Sequence, residues 1–482
     1  SLRAAACILP ALIAPRLVAA GAIDDYAIAA TPVWNWLLYG YGLPIAAFAF
    51  AAWAFDRRLG EADYLTRLCE GGALVLTWAL ATLLVRHGFA ESTVGWFSGP
   101  MRFIEAHTMA GVWMALAVGV LALRFVLRRT VIDVAHQAAL LGGMIVLVCA
   151  VFFFTPLLHV VDVRSSLVIN ELTYAYGLPL VLAAAGAVLA RRLRDTQAMQ
   201  VYAVAAMVLT LVLVTMLIRH AFNPDDMRSS AMTDVRTSLV EWATYPVAWL
   251  VLAAALLFVP QRAARKGATH AAALIVAGAA TFALLTLGLM QNPLWTAHTL
   301  GDARIWNELL YAFGLPCALL FVVAHLLRSR VPAPWARWTV TCAIALCFAL
   351  ISVQVRHYFH GPEMRLLQNA PNAVLGLRTL GVASAENYTY STAWIVLATV
   401  LLVVGVALKS PALRWGSLVI MLLSVGKVFL LDMSQLRDLW RVLSFLGLGV
   451  TLLVLAMIYQ RYVFAATVGA AGDKQQGQGG AA

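Results

Sequence analysis

Apolar runs of about 18–22 residues follow one another along nearly the whole chain, each long enough to cross a hydrocarbon core of about 30 Å. Within lipid every main-chain polar group must be bonded internally, so such a chain folds as bundled helices or as a closed barrel. The period-2 alternation of a membrane barrel is absent. The expected class is therefore an all-α polytopic membrane protein. Composition agrees: 62% of the residues are hydrophobic, 12% are charged and the mean hydropathy is +0.84. A soluble domain carries about a quarter charged residues, because its surface faces water.

Within these runs the polar positions repeat. "VWNWLLYGYGLP" at 33–44 returns as "VINELTYAYGLP" at 168–179 and "IWNELLYAFGLP" at 305–316. "LLVRHGF" at 83–89 returns as "MLIRHAF" at 216–222 and "VQVRHYF" at 353–359. A Glu followed by Trp recurs third, as Glu105/Trp113, Glu241/Trp249 and Glu386/Trp394. Chance similarity among apolar segments would not keep three polar motifs in one order, and a fixed repeat sets the architecture.

Each repeat reads as four helices: one starting at the Asn-Glu motif, one ending at Arg-His, one starting near the Glu-to-Trp motif and one returning. Residues 32–165, 166–303 and 304–431 form repeats one to three. Residues 1–31 end a preceding partial repeat, 432–464 supply the closing helix of a partial fourth, and 465–482 are a flexible polar tail. The expected total is about fourteen transmembrane helices. Ser1 reads as a cut through a longer protein. Pro in each Gly-Leu-Pro step removes a helix hydrogen bond and is expected to kink the first helix of its repeat.

The links after the first and third helices of each repeat are basic. That side of the chain holds 20 Lys and Arg against 7 Asp and Glu, and the other side 14 against 16. The positive-inside rule places the basic side in the cytoplasm, with both ends there. The net charge of +11 is thus a topology signal. No nucleic-acid partner is implied, since no groove-reading or base-stacking motif accompanies it.

On this reading the Asn-Glu, Arg-His and third-helix Glu motifs all lie on the periplasmic side. So do His87, His107, His159, His220, His298, His357 and His360. The candidate site residues are Arg86, His87 and Glu105 in repeat one; Glu171, Arg219, His220 and Glu241 in repeat two; and Glu308, Arg356, His357 and Glu386 in repeat three. They admit two readings. As ion pairs within a repeat (Arg86–Glu105, Arg219 with Glu171 or Glu241, Arg356 with Glu308 or Glu386) they would only fasten helices together. As a set they could line a pocket, because ionisable groups near the membrane interior are costly and mark sites. Arg offers a fork for carboxylate or phosphate, and His titrates near neutrality.

Repeat three carries the longest periplasmic loop, 357–386. In it Gly361-Pro362 is expected to turn the chain and "EMRLLQNAPNAVLGLRTLGV" to fold back as a lid. No H-x-x-x-H, H-E-x-x-H, Walker, dinucleotide or G-x-S-x-G pattern occurs, so no metal, cofactor or nucleophile is indicated. The six cysteines lie in or beside apolar runs without a C-x-x-C pair and read as packing residues.

The stretch "GKVFLLDMSQLRDLWRVLSFLGLGVTLLVLAMIYQRY" at 426–462 resembles the closing signature of a bacterial membrane family, domain of unknown function 2339. The N-E-x-x-Y-x-x-G-L-P segments are similar to it as well. The resemblance implies a large multi-spanning inner-membrane protein, usually longer at its N-terminus, and brings no catalytic residues. The expected function is an inner-membrane protein with a periplasm-facing polar chamber that binds or transports an anionic envelope metabolite or lipid. An enzyme acting on an envelope lipid or glycan, or a scaffold for an envelope complex, are the alternatives. Beyond membrane lipids, the candidate ligand is an anionic lipid, a sugar or a small acid; the sequence leaves the oligomeric state open.

Overall fold

The computed structural model describes residues 34–430 with interruptions, the longest at 95–100, 229–237, 259–264 and 366–383. It also describes residues 26–27, 31 and scattered positions of 446–460. Twelve helices run in chain order: α1 Trp36–Leu59, α2 Tyr64–Phe89, α3 Phe103–Val126, α4 Thr130–Phe153, α5 Glu171–Arg192, α6 Thr196–Phe222, α7 Leu239–Leu257, α8 Arg265–Ala283, α9 Leu315–Leu327, α10 Ala333–His360, α11 Ser384–Ala407 and α12 Pro411–Leu430. Wide π turns, Leu284–Met290 and Leu310–Gly314, extend α8 at its end and α9 at its start. With those turns the helices give twelve segments of 18–28 residues, long and apolar enough to cross a membrane. The two further spans expected at 4–20 and 441–460 fall wholly or largely outside the described residues; positions 452–454 of the latter are helical. A two-residue antiparallel pair, β1 Tyr26–Ala27 with β2 Thr93–Val94, completes the described elements.

The chain divides into two compact units, 1–229 and 230–482, so α1–α6 belong to the first and α7–α12 to the second. In each unit sequential helices pair as hairpins: α1/α2, α3/α4 and α5/α6, then α7/α8, α9/α10 and α11/α12. Short links force this pairing. In two of them a basic residue takes the left-handed conformation, Arg194 (φ 58°) and Lys409 (φ 51°). The next N–H then reaches the carbonyl five residues back, Asp195 to Ala190 at 3.0 Å and Ser410 to Gly405 at 2.9 Å, satisfying helix-end carbonyls.

Packing beyond the hairpins follows the repeat. The second helix meets the third (α2/α3, α10/α11), and the third meets the first helix of the following repeat (α3/α5, α7/α9). The core of the first unit interleaves small and large residues from α3, α5 and α6, among them Ala110, Met114, Ala183, Tyr176, Tyr202 and Leu209, all at most 2% exposed. Small residues let helix backbones approach, which drives association where lipid supplies no hydrophobic force. Helical structure runs through Pro44 in α1 and Pro179 in α5. In repeat three a π turn directly precedes Leu315-Pro316, and there the helix widens to absorb the missing N–H.

On its basic side the first unit pairs two of its arginines with carboxylates. Arg124 at the end of α3 pairs with Asp133 and Asp195, each at 2.7 Å. Arg129 before α4 pairs with Asp56 at 2.6 Å and with Glu70. Burial pushes the Asp195 carboxyl up, but the Ala198 N–H and Arg124 outweigh it and hold it below the ordinary carboxylate range.

Candidate functional site

The recurring polar residues form, at each repeat's polar side, a set of hydrogen bonds with nearly constant sequence offsets. Asn opens the first helix. Asn170 Oδ1 accepts from Thr173 N at 2.9 Å, and Asn35 and Asn307 accept from the N–H two residues on at 3.0 and 3.1 Å. Each Asn also donates Nδ2 to the carbonyl four residues back, that of Thr31, Ser166 or Ala303. These bonds cap the helix and fix the entering chain.

The residue after Asn closes the second contact. Glu171 Oε2 accepts the N–H of Arg164 and Glu308 Oε2 the N–H of Gly301, both at 2.8 Å and both seven residues back. The histidine of the Arg-His pair grips the carbonyl of that same residue. His220 Nε2 donates to Arg164 O and His357 Nε2 to Gly301 O, each at 3.0 Å, and His87 Nε2 to Thr31 O at 3.3 Å. The offset is 56 residues in all three. In repeats two and three one residue before the first helix is thereby held at both its N–H and its C=O, by a Glu and a His from different helices. Repeat one has Trp36 where Glu would stand, and keeps only the His half.

Of the expected ion pairs, Arg86–Glu105 and Arg356–Glu386 form. Glu171 and Glu308 are committed to main-chain N–H groups. Glu171 pairs with Arg164 at 3.2 Å, and Arg356 bonds Glu386 rather than Glu308. Arg356 Nη1 donates to Oε1 and Oε2 of Glu386 at 2.9 and 3.1 Å, with Arg356 2% and Glu386 0% exposed. Arg86 pairs with Glu105 at 2.5 Å, again buried on both sides. In repeat two, Arg219 Nε and Nη2 donate to the carbonyls of Met227 and Arg228, at 3.2 and 3.0 Å, while Glu241 accepts from Tyr245 OH at 2.7 Å. Arg219 and Glu241 belong to different units.

Further stitches use residues outside the sequence-based candidates. Tyr174 OH lies 3.0 Å from Thr108 Oγ1 and Tyr311 OH lies 2.9 Å from Thr244 Oγ1. Each Thr spends its own proton on the carbonyl four residues back, so the Tyr donates, tying a third helix to the next repeat's first. Trp113 Nε1 donates to Thr82 Oγ1 and Trp394 Nε1 to Ser352 Oγ, both at 3.1 Å, tying third helix to second. Arg356 Nε donates to Met364 O at 3.2 Å, the same eight-residue reach that Arg219 makes to Met227. The signals were present: Thr three residues after each motif Glu, a hydroxyl four before each Arg, and a recurring Met-Arg pair at 101–102, 227–228 and 364–365.

Repeat three adds groups that the others lack. His360, four residues after Arg356, donates Nε2 to Glu386 Oε2 at 2.8 Å and is part-exposed; Ala90 and Asn223 hold the equivalent positions. Glu386 therefore lies between two hydrogen-bond donors, Arg356 and His360. Beside it Lys427 Nζ donates to Asn387 O and Ser391 Oγ, both at 2.8 Å. Gly361 follows His360 with φ 60° and ψ −144°, a conformation reserved for glycine, and makes the expected turn. The expected lid at 363–382 lies mostly outside the described residues.

His357 Nδ1 accepts from Asn307 Nδ2 at 3.1 Å, which puts the ring proton on Nε2, where Gly301 O accepts it. Both nitrogens are thus engaged. One cavity, of about 750 Å³, borders the Asn35 cap of repeat one and is lined by Trp34, Asn35 and Trp36. Another, of about 530 Å³ near the polar end of α3, is lined by Met101, Arg102, Phe154 and His159. Two more open at the basic end of the second unit. Among the described residues no group of three or more His, Cys, Asp and Glu is placed to hold a metal.

Twelve apolar helices, with polar groups collected and bonded at their ends, define a multi-pass integral membrane protein in contact with membrane lipids. A family model described as Predicted membrane protein (DUF2339) matches residues 1–277 and 259–462. The chain belongs to that family, and the match extends far beyond the C-terminal signature. Neither a curated protein nor a solved structure matches the chain.

Proposed function

We propose that this protein sits in a bacterial inner membrane with its basic loops in the cytoplasm, and that it binds an anionic envelope metabolite or lipid headgroup on the periplasmic side, at repeat three. One observation carries the reading: Glu386 occupies a place between Arg356 and His360 that suits any carboxylate or phosphate. The equivalent cluster of repeat one, Arg86 with Glu105, has no counterpart of His360 and fits a purely structural clasp. A ligand anion would take over the donors that Glu386 now holds, entering past part-exposed His360. Binding is favoured over acid–base catalysis because both ring nitrogens of His357 are already engaged.

Inorganic phosphate and glycerol phosphate, titrated against the purified protein in detergent, provide the test. Both are expected to raise the melting temperature of the wild type. His360→Gln keeps the Arg356–Glu386 pair and should remove most of that rise. Unchanged phosphate stabilisation in His360→Gln would place the anion site elsewhere.

A further inference from the structure

The two units treat their basic loops differently. In the first, Arg124 and Arg129 are matched by Asp133, Asp195, Asp56 and Glu70. In the second, the links 258–267, 328–337 and 408–414 hold eight Lys and Arg and no Asp or Glu. Arg337 is exposed and has no carboxylate partner among the described residues. The charge of Arg337 is open to an anion from outside the chain.

Beside Arg337 opens a groove of about 830 Å³ between α10 and α12. Its walls are apolar from Ile344 and Phe348 on one helix to Val419 and Leu423 on the other. Its floor is a close approach: a Cβ on Gly416 would lie 2.6 Å from Ile344 Cδ1. At 1.5 Å per residue the wall from Arg337 to Phe348 is about 16 Å long. That is close to the half-thickness of a hydrocarbon core, about 15 Å. Trp415 lines the groove near its basic end, where amphipathic rings sit at headgroup level. A second cavity, of about 650 Å³, shares Arg337 and Pro411 and continues toward Arg328.

We infer that this groove binds an anionic glycerophospholipid of the leaflet on the basic side, one acyl chain lying along α10 and α12 and the phosphate at Arg337. Basic pockets between transmembrane helices select anionic headgroups in this way. The apolar walls accept any acyl chain; the acid-free basic rim supplies the choice of headgroup. The site is independent of the outer cluster at Glu386.

The test uses the full chain in detergent, with lipid removed, then offered phosphatidylglycerol or phosphatidylcholine in mixed micelles. Bound lipid is counted by native mass spectrometry. Phosphatidylglycerol should be retained in preference to phosphatidylcholine. Arg337→Gln should cut that preference about fivefold, the scale of one Arg–phosphate contact at a membrane surface. Ala345 lines the groove and is exposed, so Ala345→Trp should fill it and reduce retention of both lipids without lowering the melting temperature. Arg191→Gln, at the basic end of α5, should change neither. Equal retention of the two lipids by the wild type, or normal retention by Ala345→Trp, overturns the proposal. Loss of a dimer mass in Ala345→Trp with lipid binding intact would also overturn it, by making the groove a contact between copies.

Discussion

Glu105 and Glu171 both sit in the first turn of a helix on the polar side, yet removing their charge should have unequal consequences. Glu105 is 4% exposed and answers the buried guanidinium of Arg86. Breaking a buried pair by removing one partner costs about 3–5 kcal/mol, because the remaining charge is stranded. Glu171 bonds a main-chain N–H and an Arg164 whose side chain is 75% exposed, so water can replace much of what it loses. Thermal unfolding in detergent should therefore show Glu105→Gln falling well below Glu171→Gln. Equal, small losses would mean that Arg86 and Glu105 are solvated. Gly361 offers a second test at this scale. A side chain at φ 60°, ψ −144° is strained by about 1–3 kcal/mol. Gly361→Ala should lower stability by that amount and, by displacing His360, weaken phosphate stabilisation more than it weakens the fold.

Between elements, the helices are held by close approach and by single hydrogen bonds placed at recurring positions. A Cβ added at Gly186 would meet the Tyr202 ring at 2.7 Å, and Tyr202 is fully buried between α5 and its neighbours. Overpacking of this kind costs about 1–3 kcal/mol. Gly186→Ala should accordingly lower the melting temperature, whereas Gly278→Ala, with open space around it, should not. The inter-repeat bond is weaker. Tyr174→Phe removes a donor to Thr108 and should cost about 0.5–1.5 kcal/mol, the net worth of one hydrogen bond. A larger loss would show that this contact does more than join α3 to α5.

For the molecule as a whole, the proposed orientation follows from the basic loops and from repeat parity. In a background without native cysteines, Cys placed at Ser98, Ser229 or Asn369 should react with an impermeant thiol reagent in intact spheroplasts. Cys at Gly60, Gly267 or Ser329 should react only after lysis. Reversal at any one repeat would break the parity on which the proposed topology rests.

Span positions, hairpin pairing and the recurrence of the polar motifs were legible in the sequence. Hydropathy, link length and the turn at Gly361 are local properties, set by residues adjacent in the chain. The assignment of partners was not legible. Glu308 and Glu386 are equally plausible counter-charges for Arg356 by type and by side of the membrane. Packing of α10 against α11 brings Glu386 to it, while Glu308, at the start of another helix, is drawn to the N–H of Gly301. Nor could the sequence show that His357 and Glu308 grip one residue, Gly301, from two sides, a contact spanning 56 residues on one side and 7 on the other. The groove beside Arg337 is of the same kind, because a cavity exists only where two separate helices fail to fill the space between them. Charge, hydropathy and turn signals are written residue by residue, whereas which buried donor meets which acceptor is fixed only when the helices pack, since a bond of about 3 Å depends on the placement of both.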